Sequence, residues 1–192
     1  MRRGLAPRPR AKGRAALLVL DLITDFAFPD GPRVRRALAA HAPAIHALLV
    51  KARRARLPVI YANDNLGPWR SDSPALLAHC TEPRRAAAKL VLSLAPIESD
   101  YIVLKPRHSA FFGTPLAVLL DELRVGTLVL AGISAESCVW MTACDAHTHG
   151  FKIVVPADCI AGASARAARA MLVNLRDVIG ASTPASAAAM RL

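Results

Sequence analysis

The stretch Leu128-Val129-Leu130-Ala131-Gly132-Ile133-Ser134-Ala135-Glu136-Ser137-Cys138-Val139 decides the fold. An apolar run of β character ends at Gly132 and small polar residues turn the chain. A helical pattern then runs from Glu136 to Thr148 and closes at Gly150. A buried strand that feeds directly into a helix is the unit from which parallel α/β sheets are built. The same turn bears on chemistry. Unpaired N–H groups and the dipole of a helix N-terminus stabilise negative charge, so Cys138 in a first helical turn is expected to ionise readily. A small buried core cysteine is the other reading, and the stretch by itself leaves both open.

Working outward, the run Ala16 to Leu20 is continuously apolar and closes on Asp21, as expected of a central parallel strand. Leu22 to Pro32 reads as a loop, with Phe26 and Phe28 near Asp21. Ile45, Leu48, Leu49 and Ala52 lie at helical spacing, and Pro43 marks the start of the regular helix or a kink. Pro58 to Tyr61 is the second strand. The polar loop from Ala62 to Asp72, with Trp69 and Arg70, is either a pocket wall or an ordinary surface loop. Thr81 and Pro83 are expected to open a helix through Ala86 to Leu94. Tyr101 to Leu104 is the third strand; it delivers Lys105, with His108, Phe111 and Phe112 just beyond. Thr114-Pro115 starts another helix by cap and proline logic. Thr127 to Ala131 and Lys152 to Val155 are the fourth and fifth strands. Ser164 caps a further helix, and Val178 to Ala181 is a candidate short sixth strand. Strands alternating with helices, without a hairpin signal, predict an α/β fold around a parallel sheet.

The 192 residues fit one domain, taken as 15–192, preceded by a basic arm over 1–14. The net charge of +11 is concentrated in that arm: Arg2, Arg3, Arg8, Arg10, Lys12 and Arg14 precede any acid, leaving 19 bases against 14 acids. Its prolines and charges predict disorder, and no aromatic residue interleaves them, so a solvated tail is expected rather than specific nucleic-acid binding. No apolar run approaches the roughly 20 residues that span a bilayer, and Ala15 to Leu20 is too short for a signal peptide. A cytoplasmic protein without membrane contact is expected. Four cysteines without CxxC spacing fit free thiols, with Cys80, Cys144 and Cys159 as packing residues. Neither GxGxxG nor GxxxxGK[ST] occurs, so nothing points to a dinucleotide or a nucleoside triphosphate.

Three strand ends supply reactive groups: Asp21, Lys105 and Cys138. Parallel strands point the same way, so all three arrive at one edge of the sheet. A carboxylate can take the thiol proton, an ammonium can stabilise thiolate and carboxylate together, and backbone N–H groups at the turn can hold an oxyanion. The combination suits a hydrolase.

The sequence resembles the isochorismatase-like cysteine hydrolases. The resemblance is carried by Leu18-Val19-Leu20-Asp21 with Asp25-Phe26, by Val103-Leu104-Lys105-Pro106 with Ser109-Ala110-Phe111, and by Gly132-Ile133-Ser134 through Cys138-Val139 with Thr142 and Asp145-Ala146. It implies a three-layer α/β/α fold with about six parallel strands and an Asp21-Lys105-Cys138 triad. It further implies a cis peptide between Ile133 and Ser134, with the N–H groups of Ser134 and Cys138 turned toward the oxyanion. Cys138 would attack a carbonyl carbon, ammonia or an amine would leave, and water activated by Asp21 would hydrolyse the thioester.

Departures narrow the field. True isochorismatases lack the cysteine. Nicotinamidases carry an aspartate and histidines for a metal after the second strand, where this chain has Asn63-Asp64-Asn65 and no histidine before His79, so no catalytic metal and no cofactor are expected. The expected substrate is a small amide, carbamoyl or ureido compound, with Phe26, Trp69, Arg70, His108, Phe112 and Trp140 as candidate pocket residues. The family further implies a homodimer or homotetramer. The alternative is a catalytically silent relative that binds a metabolite or a partner protein through the same cleft.

Overall fold

The computed structural model describes residues 13–67 and 72–189. Most of the basic arm, together with Trp69 and Arg70, lies outside the described residues. Five parallel strands form one sheet in the order β3-β2-β1-β4-β5: β1 Arg14–Leu20, β2 Val59–Asp64, β3 Tyr101–Lys105, β4 Val125–Gly132 and β5 Lys152–Val154. β1 lies at the centre because it is apolar on both faces; Ala16 to Leu20 are all fully buried. Its register sets Leu20 against Ala62 of β2 and Gly132 of β4, while Asp64 of β2 stands against Lys105 of β3. The C-terminal ends of the four strands therefore share one edge.

Alternation along β1 divides the core in two. Leu17 and Val19 face α1 (Gly31–Arg54), α2 (Ser73–Thr81) and α3 (Ala88–Ser93), where they meet Leu38, Ile45, Leu49 and Val91. Ala16, Leu18 and Leu20 face α4 (Leu116–Glu122), α5 (Trp140–Thr148) and α6 (Ala165–Ile179), where they meet Leu116, Leu120, Ala143 and Leu175. Each fully buried Leu or Val stabilises the fold by roughly 1.5–3 kcal/mol. The result is a three-layer α/β/α sandwich, closed by the short α7 (Ser186–Ala189) against α1.

Several boundaries differ from the sequence expectation. β1 begins at Arg14, so the strand takes in the last residue assigned to the arm. α1 starts at Gly31, with Pro32 in its first turn, and continues through Pro43; Val34 and Leu38 extend the same buried stripe as Ile45 and Leu49. The loop after β2 is shorter than expected because β2 runs on through Asp64, and an unexpected helix, α2, follows it, capped by Asp72, which accepts the Ala75 N–H at 2.8 Å. Thr81 ends that helix instead of opening one: its hydroxyl donates to the Leu77 carbonyl one turn back at 2.7 Å. The sixth strand is reduced to a single parallel bridge between Ser182 and Val154. Val178 and Ile179 stay in α6 until Gly180 stops it in the left-handed conformation, at φ +69°. Among the described residues, no helix is long and apolar enough to cross a membrane.

Candidate active site

Asp21 follows β1 with φ +52°, a left-handed backbone that residues other than glycine adopt rarely and that clusters at functional positions. Its Oδ1 accepts the Asp64 N–H at 2.7 Å, and its Oδ2 lies 2.9 Å from Lys105 Nζ. Lys105, the last residue of β3, has no exposed surface. A buried ammonium needs acceptors for its three N–H groups. It finds them in Asp21, in the Arg107 carbonyl at 3.2 Å and in Cys138 Sγ at 3.5 Å.

β4 brings the third group. Gly132 has φ +121°, and a Cβ there would stand 2.1 Å from the Leu20 carbonyl oxygen, so only glycine lets β4 pass β1 this closely. The Ile133–Ser134 peptide bond is cis. Ala135–Val139 form a π-helical turn ahead of α5, and Cys138 sits inside it. Cys138 is therefore not in the first turn of an α-helix as the sequence pattern predicts. π turns inserted before or within helices recur at functional sites. The Ser134 N–H makes no hydrogen bond among the described residues and borders the cavity above the sulfur.

That cavity holds about 440 Å³. Ile23, Phe28, Leu66 and Ile133 supply its apolar wall, and Thr24, Asn63, Asp64, Ser134 and His108 its polar one. A larger cavity of about 820 Å³ lies at the opposite end of the sheet, beside Arg14, Thr127 and Lys152. Its lining among the described residues includes His147, Lys152 and Ser182 but no cysteine and no carboxylate, whereas Asp21 and Cys138 both line the smaller one.

Electrostatics alters the expected state of the thiol. Burial pushes the Cys138 thiol up to about 12, the Asp21 charge adds to that, and Lys105 opposes it. Burial likewise raises the Asp21 carboxyl, against the pull of Lys105 and a hydrogen bond with Cys138. Burial alone would lower Lys105, but the charges of Asp21 and Cys138 outweigh it and hold the ammonium protonated. Lys105 thus touches both the Asp21 carboxyl and the Cys138 sulfur, while burial and the Asp21 charge favour the protonated thiol. The thiolate expected from a helix N-terminus is not the resting form, because Asp21 and the loss of water act more strongly at the sulfur.

The Isochorismatase domain model matches residues 15–186, a span that takes in all three groups. The chain belongs to the isochorismatase family. The isochorismatase family protein YaaI of Bacillus subtilis (strain 168) is 37% identical over 154 residues, covering 80% of this chain and 84% of that one. Maleamate amidohydrolase of Pseudomonas putida is 30% identical, covering 77% and 72%. Among solved structures, an isochorismatase family protein of Desulfovibrio vulgaris superposes with a TM-score of 0.74 at 26% identity, covering 92% of this chain and 96% of that one. This isochorismatase-family chain is a hydrolase.

Of the other residues singled out from the sequence, His108 borders the cavity, its Nδ1 3.8 Å from Cys138 Sγ. Phe26, Phe112 and Trp140 do not line it. Phe26 packs into the core on the α1 side, Phe112 is 61% exposed, and Trp140 packs against the α4–α6 core. Phe28, Leu66 and Asp64 take their places. Asp64 was open to discovery by the same strand-end logic as Asp21, since it closes β2. Asn63 is a further residue the sequence reading passed over. Its amide accepts the Ile23 N–H at 2.9 Å and donates to the Ile23 carbonyl at 2.7 Å, tying the loop after β1 to the end of β2. At the rim, Asp25 Oδ2 meets His79 Nε2 at 3.0 Å and Arg85 Nη1 at 3.5 Å. No group of three or more His, Cys, Asp or Glu among the described residues is arranged to hold a metal ion.

Proposed function

We propose that this isochorismatase-family hydrolase cleaves a C–N bond of a small amide, carbamoyl or ureido compound through a cysteinyl thioester, without a metal. The observation that carries the reading is the fully enclosed Lys105, in contact with both Asp21 and Cys138, which line a cavity. A buried ion pair of this kind stabilises a fold poorly against an apolar replacement, which favours a chemical role.

Asp21 takes the Cys138 proton as the sulfur attacks the carbonyl carbon, so the high thiol pKa is overcome by direct transfer within a hydrogen bond. The carbonyl oxygen becomes an oxyanion, which the Ser134 N–H, unpaired among the described residues, would receive. Asp21 then gives its proton to the departing nitrogen, leaving an acyl thioester on Cys138. Water enters, Asp21 removes its proton, and collapse of the second tetrahedral adduct releases the carboxylate product and returns the proton to sulfur. Lys105 keeps a positive charge beside both groups throughout.

The test is ammonia release from a panel of small amides and ureides by wild type, Cys138→Ala and Cys138→Ser. Both variants are expected to remain folded and to lose kcat by about four orders of magnitude or more. Full turnover by Cys138→Ala would refute the reading.

A further inference from the structure

Among the described residues, the charges around the catalytic cavity do not balance, and the imbalance sits on one residue. Lys105 is matched by Asp21 at 2.9 Å, and Asp25 is matched at the rim by Arg85 at 3.5 Å, with His79 beside it. Asp64 also borders the cavity, half-buried at the end of β2. Its Oδ1 accepts the Leu66 N–H at 2.7 Å, and among the described residues its Oδ2 has no hydrogen-bond partner and no cation lies within ion-pair distance of it. Its charge is felt at Lys105, but that ammonium is already in contact with Asp21. The only basic side chain among the described cavity residues is His108, on the wall beside Cys138.

We propose that Asp64 selects the substrate: the cavity takes amides that carry a positively charged nitrogen group, such as an ammonium or guanidinium, and rejects those that carry a carboxylate. The Asp64 backbone N–H is bonded to Asp21 at 2.7 Å, and both residues line the cavity. A cationic group near the reacting carbonyl would pair with Asp64 Oδ2, the oxygen left without a partner. A carboxylate there would bring a second negative charge into a narrow, partly dewatered space, where like charges repel strongly. The selection rests on the amidohydrolase reading above and adds the charge class of its substrate.

The experiment uses the full chain and charge-matched triplets of short primary amides of equal length, ending in an ammonium, a methyl or a carboxylate. Ammonia release gives kcat/KM for each, in wild type and in Asp64→Asn. In wild type the cationic member is expected to exceed the anionic one by about a hundredfold or more. In Asp64→Asn the ratio between the two is expected to fall at least about tenfold. A ratio taken within one enzyme sample is unaffected by partial loss of folded protein. An anionic preference in wild type, or a ratio that Asp64→Asn leaves unmoved, overturns the selection while leaving the hydrolase reading intact. An anionic preference that disappears in Arg70→Ala also overturns it and moves recognition to the loop after β2. Turnover of no triplet, with Cys138 never acylated, overturns both.

Discussion

At Cys138 the sulfur has, among the described residues, four polar neighbours with different effects: the Asp21 charge favours the protonated thiol, Lys105 stabilises its anion, the Ser137 hydroxyl donates to it at 3.8 Å, and His108 stands 3.8 Å away on the cavity side. Burial and the Asp21 charge together push the thiol up to about 12, so the free enzyme at neutral pH carries almost no thiolate. Iodoacetamide is therefore expected to label Cys138 more slowly at pH 7 than an ordinary exposed thiol, with a rate that keeps climbing beyond pH 10. Rapid labelling at pH 7, mapped to Cys138, would show a resting thiolate instead. Turnover follows a different group. The raised Asp21 carboxyl must be ionised to act as base, so kcat/KM is expected to fall on acidification with an apparent pKa above 3.8, the ordinary value for aspartate. Lys105 carries the structural side of the same arrangement. Lys105→Met leaves Asp21 buried without its partner and is expected to cost about 3–5 kcal/mol in urea unfolding as well as the activity. A stable but inactive variant would mean that the ammonium serves the chemistry alone.

At the level of elements, the site depends on how closely four strand ends are held together. Asn63 does this between β2 and the loop after β1, using its side-chain amide as an extra rung on both backbone groups of Ile23. Asn63 and Ile23 are each 1% exposed, so water does not replace those bonds once they are lost. Asn63→Ala is expected to cost about 1–3 kcal/mol for each group left unpaired and to lower kcat/KM through the displaced cavity wall. Chemical denaturation and steady-state kinetics on one preparation check both; a neutral effect on stability would mean that the loop holds its place without this clamp. The elements also show what the sequence made legible. The ends of β1, β3 and β4 could be located because a run of apolar residues stops abruptly at Asp21, Lys105 and Gly132, and parallel strands then bring those ends together. α2 escapes the sequence pattern because its cap, Asp72, reads as the last residue of a polar loop and Ser73-Pro74 just beyond it show no apolar periodicity. Phe112 and Trp140 were misplaced because a loop or helix position does not state which way its side chain points. The raised thiol pKa was invisible for a related reason, since burial and a carboxylate brought from β1 are properties of the assembled fold.

For the molecule as a whole, two carboxylates near one cavity act on stability in opposite directions. Burial tends to raise Asp25, but the Ala27 N–H, His79 and Arg85 outweigh it and hold the carboxyl below its ordinary value. Its contribution is present above pH 3.8 and is lost as pH falls through its lowered folded value. Asp21 has the reverse sign: a raised folded pKa means that its contribution is fully present below 3.8 and is lost as pH rises through the folded value. Asp25→Asn is accordingly expected to lower Tm at pH 7 and to differ less from wild type as pH falls below 3.8; an equal loss at both pH values would deny the carboxylate this role. In the proposed mechanism the two cores, the central β1 and the shared strand edge serve one step, the transfer of an acyl group to Cys138 under the control of Asp21. Intact-mass and peptide-mapping analysis of the enzyme quenched during turnover of an amide substrate tests this most directly. An acyl adduct on Cys138 that forms and decays at the rate of turnover is the predicted result, and turnover at an undiminished rate by Cys138→Ala, with no adduct in wild type, would contradict it.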